Sequence, residues 1–150
     1  MTETLPAIAV IGGTGNLGSA LARRLAIAGR RVLIGSRDRD RAKAAAEALG
    51  HGVGSGTNAE AAAAADVIIV AVPFASQKAT LQDIAPHVVG KIVVDTTVPL
   101  MPPKVMRVQL PPEGSAAVIA QALLGAGVRV VSAFHNVAAH KLATDEQVEC

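Results

Sequence analysis

The 150-residue sequence predicts an α/β fold: a Rossmann-type, doubly wound parallel sheet with strand order 3-2-1-4-5-6. Three observations carry this. The apolar run Ala7-Ile8-Ala9-Val10-Ile11 leads straight into a glycine-rich turn and then a helical pattern. Short, almost wholly apolar segments then alternate with helical ones, as expected of strands covered on both faces by crossover helices. Right-handed crossovers fix the order and put ligands at the carboxyl ends of the strands, near the point where the order reverses.

The first strand runs into Gly12-Gly13-Thr14-Gly15-Asn16-Leu17-Gly18. These glycines fit two templates, G-x-G-x-x-G on Gly13, Gly15 and Gly18, or G-x-x-G-x-x-G from Gly12. Either lets bare backbone approach a pyrophosphate, whose charge meets the unpaired N–H groups at a helix start. Gly18 would also let that helix pack closely. The plainer alternative is an ordinary glycine-rich turn, but a strand before and a helix after are the context that a dinucleotide site requires. The helix, Asn16 to Ala28, carries Leu17, Leu21, Leu25 and Ala28 at helical spacing, and Gly29 stops it.

Arg31 to Gly35 is the second strand, followed by Ser36 and Arg37. NAD-binding versions of the fold place an acidic residue here, about 20 positions past the glycines, to accept from the ribose 2′-hydroxyl. A carboxylate would repel a 2′-phosphate, whereas a hydroxyl and a guanidinium fork would bind one. Arg41, one helical turn on, reaches the same place, so NADP(H) is the expected dinucleotide. Asp38 reads as a helix cap for Asp40–Leu49, which Gly50 ends.

Residues 51–56 are glycine-rich and suggest a weak third strand at the sheet edge. Asn58 is expected to cap a short alanine helix through Ala65. Asp66 to Val72 is the clearest buried strand, and it ends in Pro73-Phe74 at the ligand crevice. Phe74 either covers the nicotinamide or belongs to the core. Ser76–Ile84 reads as helix and Lys91–Asp95 as a fifth strand. Asp95, at its carboxyl end, is placed either as a general acid or, more commonly, as the cap of the next turn. An irregular stretch from Thr96 to Pro112 carries five prolines. Ser115 then opens a helix through Leu124, and Val128–Ala133 forms the sixth strand, followed by Phe134-His135-Asn136.

Composition narrows the chemistry. One domain spanning residues 1–150 suits this length. With two Phe, no Trp and no Tyr, the core is aliphatic and the Tyr acid of short-chain dehydrogenases has no counterpart. The single cysteine, Cys150, excludes an intrachain disulfide and a Cys-based metal cluster, and it is compatible with a reduced, cytoplasmic setting. Met1 to Thr4 lacks a signal-peptide pattern. The run Ala61–Val72, broken by Asp66, is too short to span a bilayer. Eight of the fourteen Lys and Arg residues fall between Arg23 and Lys43, but without aromatic platforms a nucleic-acid role is not expected. Most of these charges read as solvated helix faces.

The motifs together resemble a known family. Gly-Gly-Thr-Gly-Asn-Leu-Gly (12–18), Gly-Ser-Arg (35–37), Val-Pro-Phe (72–74) and Val-Ser-Ala-Phe-His-Asn-Val (131–137) occur in this order, with Ser-Ala-Ala-Val-Ile-Ala-Gln at 115–121. The set is similar to the NADPH-dependent reductases of the deazaflavin coenzyme F(420). The resemblance implies hydride transfer between nicotinamide and deazaflavin rings stacked in one crevice, which needs positioning and exclusion of water rather than a dedicated proton-transfer residue. It further implies that Thr14, Asn16 and Leu17 belong to the pyrophosphate turn and Ser36, Arg37 and Arg41 to the 2′-phosphate pocket. Val72, Pro73 and Phe74, at the end of the fourth strand, are counted with the cofactor-binding residues. His135, Asn136 and Val137 would lie beside the deazaflavin, with His135 as a polar contact to the acceptor. Members of the family continue past the position of Cys150 with segments that wall the acceptor site and the dimer, so a homodimer is expected where that part is supplied. Ala138 stands where some relatives have proline. The rival readings are an NADP(H) sensor without turnover and the nucleotide-binding part of another dehydrogenase.

Overall fold

The computed structural model describes residues 3–100 and 110–149. Met1, Thr2, Cys150 and residues 101–109, with Pro102 and Pro103 of the proline-rich stretch, lie outside the described residues. The strands are β1 (Ile8–Ile11), β2 (Val32–Ser36), β3 (Gly54–Thr57), β4 (Val67–Val70), β5 (Ile92–Asp95) and β6 (Arg129–Ser132). The helices are α1 (Asn16–Ile27), α2 (Arg39–Leu49), α3 (Asn58–Ala64), α4 (Phe74–Ile84), α5 (Ala116–Leu124) and α6 (Ala139–Leu142). All strand pairs are parallel and the order is β3-β2-β1-β4-β5-β6, the Rossmann arrangement that the sequence predicts. At the centre, Val10 of β1 stands level with Ile34 of β2 and Ile69 of β4.

Period-two alternation divides the core between two faces. Val10, Val32 and Ile34 pack with Ala22 and Ala26 of α1 and Ala42 and Ala46 of α2. Ala9, Ile11, Ile68 and Val70 turn the other way, toward Ala61 and Ala62 of α3, Leu81 and Ile84 of α4, and Ala120 and Leu124 of α5. Alanine dominates the inward faces of α1, α2 and α3, so the aliphatic strands supply most of the bulk.

Local chemistry explains where the helices begin. The Asp38 carboxylate accepts from the Asp40 and Arg41 amides and caps α2, and Ser115 accepts from the Val118 amide at the start of α5. The expectation for Asn58 is corrected. Thr57 caps α3 and forms a capping box with Glu60, while Asn58 is the first helical residue with its side chain buried. The signature was present as Thr57-x-x-Glu60, and reciprocal bonds at both ends outcompete a lone Asn cap. Helix α4 starts at Phe74, with Pro73 preceding it, rather than at Ser76.

Two features depart from a simple buried-strand picture. β6 is largely exposed because it is the outer strand of the sheet; α5 packs against it, but Val131 is 46% exposed. The segment after β6 folds back over α1. There the Arg24 guanidinium donates to the carbonyls of Leu142 (2.9 Å) and Thr144 (2.7 Å), and Arg23 pairs with Asp145 at 2.8 Å. Leu142 and Val137 thereby join Ala20, Leu21 and Ile69 in a third apolar cluster.

Candidate functional site

The turn between β1 and α1 shows what each glycine is for. Gly12 has φ +76°, and a Cβ there would lie 2.5 Å from the Ala71 carbonyl oxygen, so only glycine makes this turn. The Gly12 and Gly13 amides both donate to the Gly35 carbonyl, at 3.0 and 3.2 Å, tying the turn to the end of β2. A Cβ on Gly18 would meet the Gly12 oxygen at 2.5 Å and the Gly13 Cα at 2.9 Å, so this glycine lets α1 close onto the turn itself. Gly15 differs from both. Its Cβ would have a single neighbour, the Gly12 oxygen at 3.4 Å, an ordinary contact, and the remaining space is open. A Cβ on Gly13 would meet Ile34 Cγ2 at 2.8 Å and the Val10 carbonyl oxygen at 2.9 Å, so the turn uses all four glycines, and both templates share the open approach at Gly15 and the close packing at Gly18. No side chain caps α1, whose first-turn amides keep their capacity for an anion.

Gly15 opens onto a hollow of about 380 Å³ at the carboxyl end of the sheet, over the β1/β4 switch point. Gly12, Thr14 and Gly15 form one wall, Ser36, Arg37, Asp38 and Arg41 a second, and Ala71, Val72 and Pro73 a third. Ser36 is buried, with its Oγ accepting from the Asp38 amide at 3.2 Å. Three arginines lie in this region in different states. Arg39 pairs with Glu60. Arg37 and Arg41 are exposed, and their guanidinium groups make no ion pair among the described residues. The Thr57 amide, and with it Arg39, holds the Glu60 carboxyl below its ordinary value. Asp38, the one carboxylate on the wall, is occupied as the α2 cap. The wall thus presents two unpaired guanidinium groups and a hydroxyl where an NAD site would present a free acid.

Other predicted residues stand apart from this hollow. Gly13, Asn16, Leu17 and Gly18 shape the turn and the start of α1 without lining it, and Phe74 begins α4, half-buried, also outside it. His135, Asn136 and Val137 follow β6, two strands from β4. His135 is exposed, with its Nε2 3.3 Å from Ser132 Oγ, while Val137 packs into the third apolar cluster. Phe134 has φ +65°, a conformation uncommon for a bulky residue and suited to a segment that must be aimed. Asp95 takes the capping role. Its side chain is fully buried, accepts from the Thr97 amide (3.1 Å) and hydroxyl (3.0 Å), and receives Gln77 Nε2 at 3.0 Å. Gln77 also donates to the Ala116 carbonyl at 2.9 Å, linking α4, β5 and α5.

Sequence reasoning missed five lining residues, Asp38, Asn58, Ala71, Ser76 and Thr80. Asn58 is 4% exposed, and its Oδ1 has no hydrogen-bond partner among the described residues. Ser76 and Thr80 share one face of α4 by their i, i+4 spacing, which was legible, but nothing local marked that face as a wall. Among the described residues there is no group of side chains suited to a metal ion, and no helix is long and apolar enough to cross a membrane.

Residues 7–99 match the family model described as "NADP oxidoreductase coenzyme F420-dependent". An F420-dependent NADP reductase of Methanothermobacter thermautotrophicus is 43% identical over 95% of this chain and 67% of its own length. A namesake from Methanothermobacter marburgensis is 41% identical over 90% of this chain and 65% of its own. The chain therefore spans about two thirds of the length of these curated relatives. Among solved structures, a hypothetical protein of Sinorhizobium meliloti superposes with a TM-score of 0.80 at 26% identity, over 95% of this chain and 67% of that one. With its glycine turn, a second strand that ends in Ser36-Arg37 and these similarities in agreement, the chain belongs to the coenzyme F420-dependent NADP oxidoreductase family.

Proposed function

We propose that this protein binds NADP(H) in the hollow over the switch point and transfers a hydride between it and the deazaflavin coenzyme F420. The observation that carries the reading is the convergence of the Gly15 opening with Ser36, Arg37 and Arg41 on one hollow, in a chain of this family. The cradle fits the cofactor: a Cβ at Gly15 would project into open space at the uncapped start of α1, where a pyrophosphate belongs. Thr14, Asn16 and Leu17 shape the amides around that anion, with Gly12, Gly13 and Gly18 holding the backbone in place. Ser36, Arg37 and Arg41 take the 2′-phosphate. Val72 and Pro73 border the path toward the nicotinamide, with Phe74 beside them. His135, Asn136 and Val137 form the acceptor side, aimed by the Phe134 turn.

Bound there, NADP(H) would exchange a hydride with the deazaflavin ring. The chain's own task is to hold both rings and exclude water, and no acid or base on the sheet is asked to transfer a proton. A homodimer and a cytoplasmic setting complete the reading, and light scattering tests the former. The test of the cofactor assignment is calorimetric titration with NADP⁺ and NAD⁺. Preferential binding of NADP⁺ is expected, and equal affinity would refute the 2′-phosphate pocket. A binding-only sensor is the second reading. It is favoured by the exposure of His135 and of the β6 face, and NADPH turnover separates the two.

A further inference from the structure

Helix α6 is a single turn, Ala139–Leu142, and a turn that short does not hold itself in water. No side chain caps its start. Its far end is held from outside, by Arg24 in the last turn of α1. The half-buried guanidinium donates through Nε to the Leu142 carbonyl at 2.9 Å. Its Nη2 reaches the carbonyls of Thr144 (2.7 Å), Lys141 (3.2 Å) and Glu146. Carbonyls at a helix end lack intrahelical partners, and a rigid fork of N–H groups suits several of them at once. Alongside, Leu142 is buried with Ala20, Leu21 and Ile69, and Leu17 and Val137 pack on the same cluster.

The latch bears on the other end of α6. The connection from β6 to α6, residues 133–138, carries neither strand nor helix and contains His135, Asn136 and Val137. One end of it hangs from β6, the outer strand, where the Ala133 amide donates to the Asp95 carbonyl at 3.2 Å. The other end enters α6, whose place is set by Leu142 and Arg24. Helix α1 is a rigid spacer of about 12 Å between Asn16 and Arg24. One helix therefore bears the glycine turn at its start and, through Arg24, grips the segment that follows β6.

We propose that Arg24 is a positioning residue for hydride transfer: by clasping α6 to α1 it sets the His135–Val137 segment against the dinucleotide. The inference rests on the acceptor side assigned above and adds the residue that keeps the two half-sites in register. Arg24 does not line the hollow, so it acts through α6. Hydride transfer is sensitive to such placement, because a misplacement of about 1 Å can cost about a hundredfold in rate. The fold itself does not hang on the latch. Lys141, Thr144 and Glu146 are exposed, so water can replace the guanidinium, and α1 remains packed through Ala20, Ala22 and Ala26.

The test compares wild type, Arg24→Ala and Arg24→Lys in three measurements. Calorimetry gives NADP⁺ affinity, amide hydrogen exchange reports on α1 and α6, and rapid mixing of NADPH-loaded protein with oxidised coenzyme F420 gives the transfer rate. In Arg24→Ala the Leu142 and Ala143 amides, bonded to the carbonyls of Ala138 and Ala139, should exchange faster while α1 stays protected. NADP⁺ affinity should stay within about twofold, and transfer should slow by about ten- to a hundredfold. Arg24→Lys keeps a donor without the fork and should recover part of the rate. Unchanged exchange in α6, or faster exchange with an unchanged transfer rate, overturns the proposal. So does a parallel fall in NADP⁺ affinity, melting temperature and transfer, which would make Arg24 a general support of the fold. If wild type binds NADP⁺ yet passes no hydride to the deazaflavin, the acceptor reading itself fails and this inference with it.

Discussion

Arg37→Ala separates the two halves of the cofactor argument. The guanidinium is exposed and makes no ion pair among the described residues, so its removal should change folding stability by less than about 0.5 kcal/mol. Binding is another matter. Hydrogen bonds to charged groups contribute roughly 1.5–3 kcal/mol, and about 1.4 kcal/mol is tenfold in affinity, so NADP⁺ binding should weaken by about ten- to 150-fold. NAD⁺ lacks the phosphate and should be little affected. Arg41 lines the same hollow and remains, so the lower half of the range is expected for the single variant. Adding Arg41→Ala should deepen the loss without summing, because both act on one anion. Calorimetry with both dinucleotides at two salt concentrations is the assay. The NADP⁺ difference should shrink as salt rises, since the guanidinium groups are exposed. Equal losses for NADP⁺ and NAD⁺, or no loss for NADP⁺ in a folded variant, would refute the 2′-phosphate assignment.

Four further predictions concern the scaffold. Gly15→Ala should fold within about 1 kcal/mol of wild type, since its Cβ would make one ordinary contact, yet weaken NADP⁺ binding by obstructing the pyrophosphate; undiminished binding would displace the phosphate from this turn. Gly18→Ala should instead destabilise the fold by about 1–3 kcal/mol, because its Cβ would sit 2.5 Å from a backbone oxygen; a neutral urea midpoint would contradict the packing. Glu60 is held below its ordinary carboxyl value in the fold, so its contribution is present at neutral pH and is lost as pH falls below 4.5 through the folded value. Glu60→Gln should therefore melt below wild type at neutral pH and converge with it in acid, and a constant gap would contradict that linkage. For the buried network, Asp95→Ala should cost about 2–4 kcal/mol in urea denaturation, by leaving Gln77 and the Thr97 amide short of an acceptor, and a loss under about 0.5 kcal/mol would refute it.

The fold was legible because its signals were local and repeated. The apolar strands, the caps at Asp38 and Ser115, and the turn glycines all act within a few residues, and right-handed crossovers order the strands. Ser36 and Arg37 were legible for the same reason, since β2 delivers them to the switch point. Asn58 was misread because an Asn before an alanine run resembles a cap, and the stronger Thr57-x-x-Glu60 box moved the boundary by one residue. Ser76 and Thr80 escaped notice because their meaning depends on Arg37 and Asn58, brought to the same hollow only by the fold. The latch of Arg23 and Arg24 on residues 142–145 was equally hidden, since arginines on a helix surface give no sign of a distant carbonyl. The exposure of β6 reflects its place at the edge of the sheet, which no property of its own residues announces.

The most direct test of the central claim is to mix the protein with NADPH and oxidised coenzyme F420 and follow both chromophores in one cuvette. The account predicts that deazaflavin reduction and NADPH oxidation proceed together, one for one, only when protein is present, and that Gly15→Val abolishes both. NADP(H) bound tightly in the same sample, with the deazaflavin unchanged, would contradict hydride transfer and leave a nucleotide-binding protein without turnover.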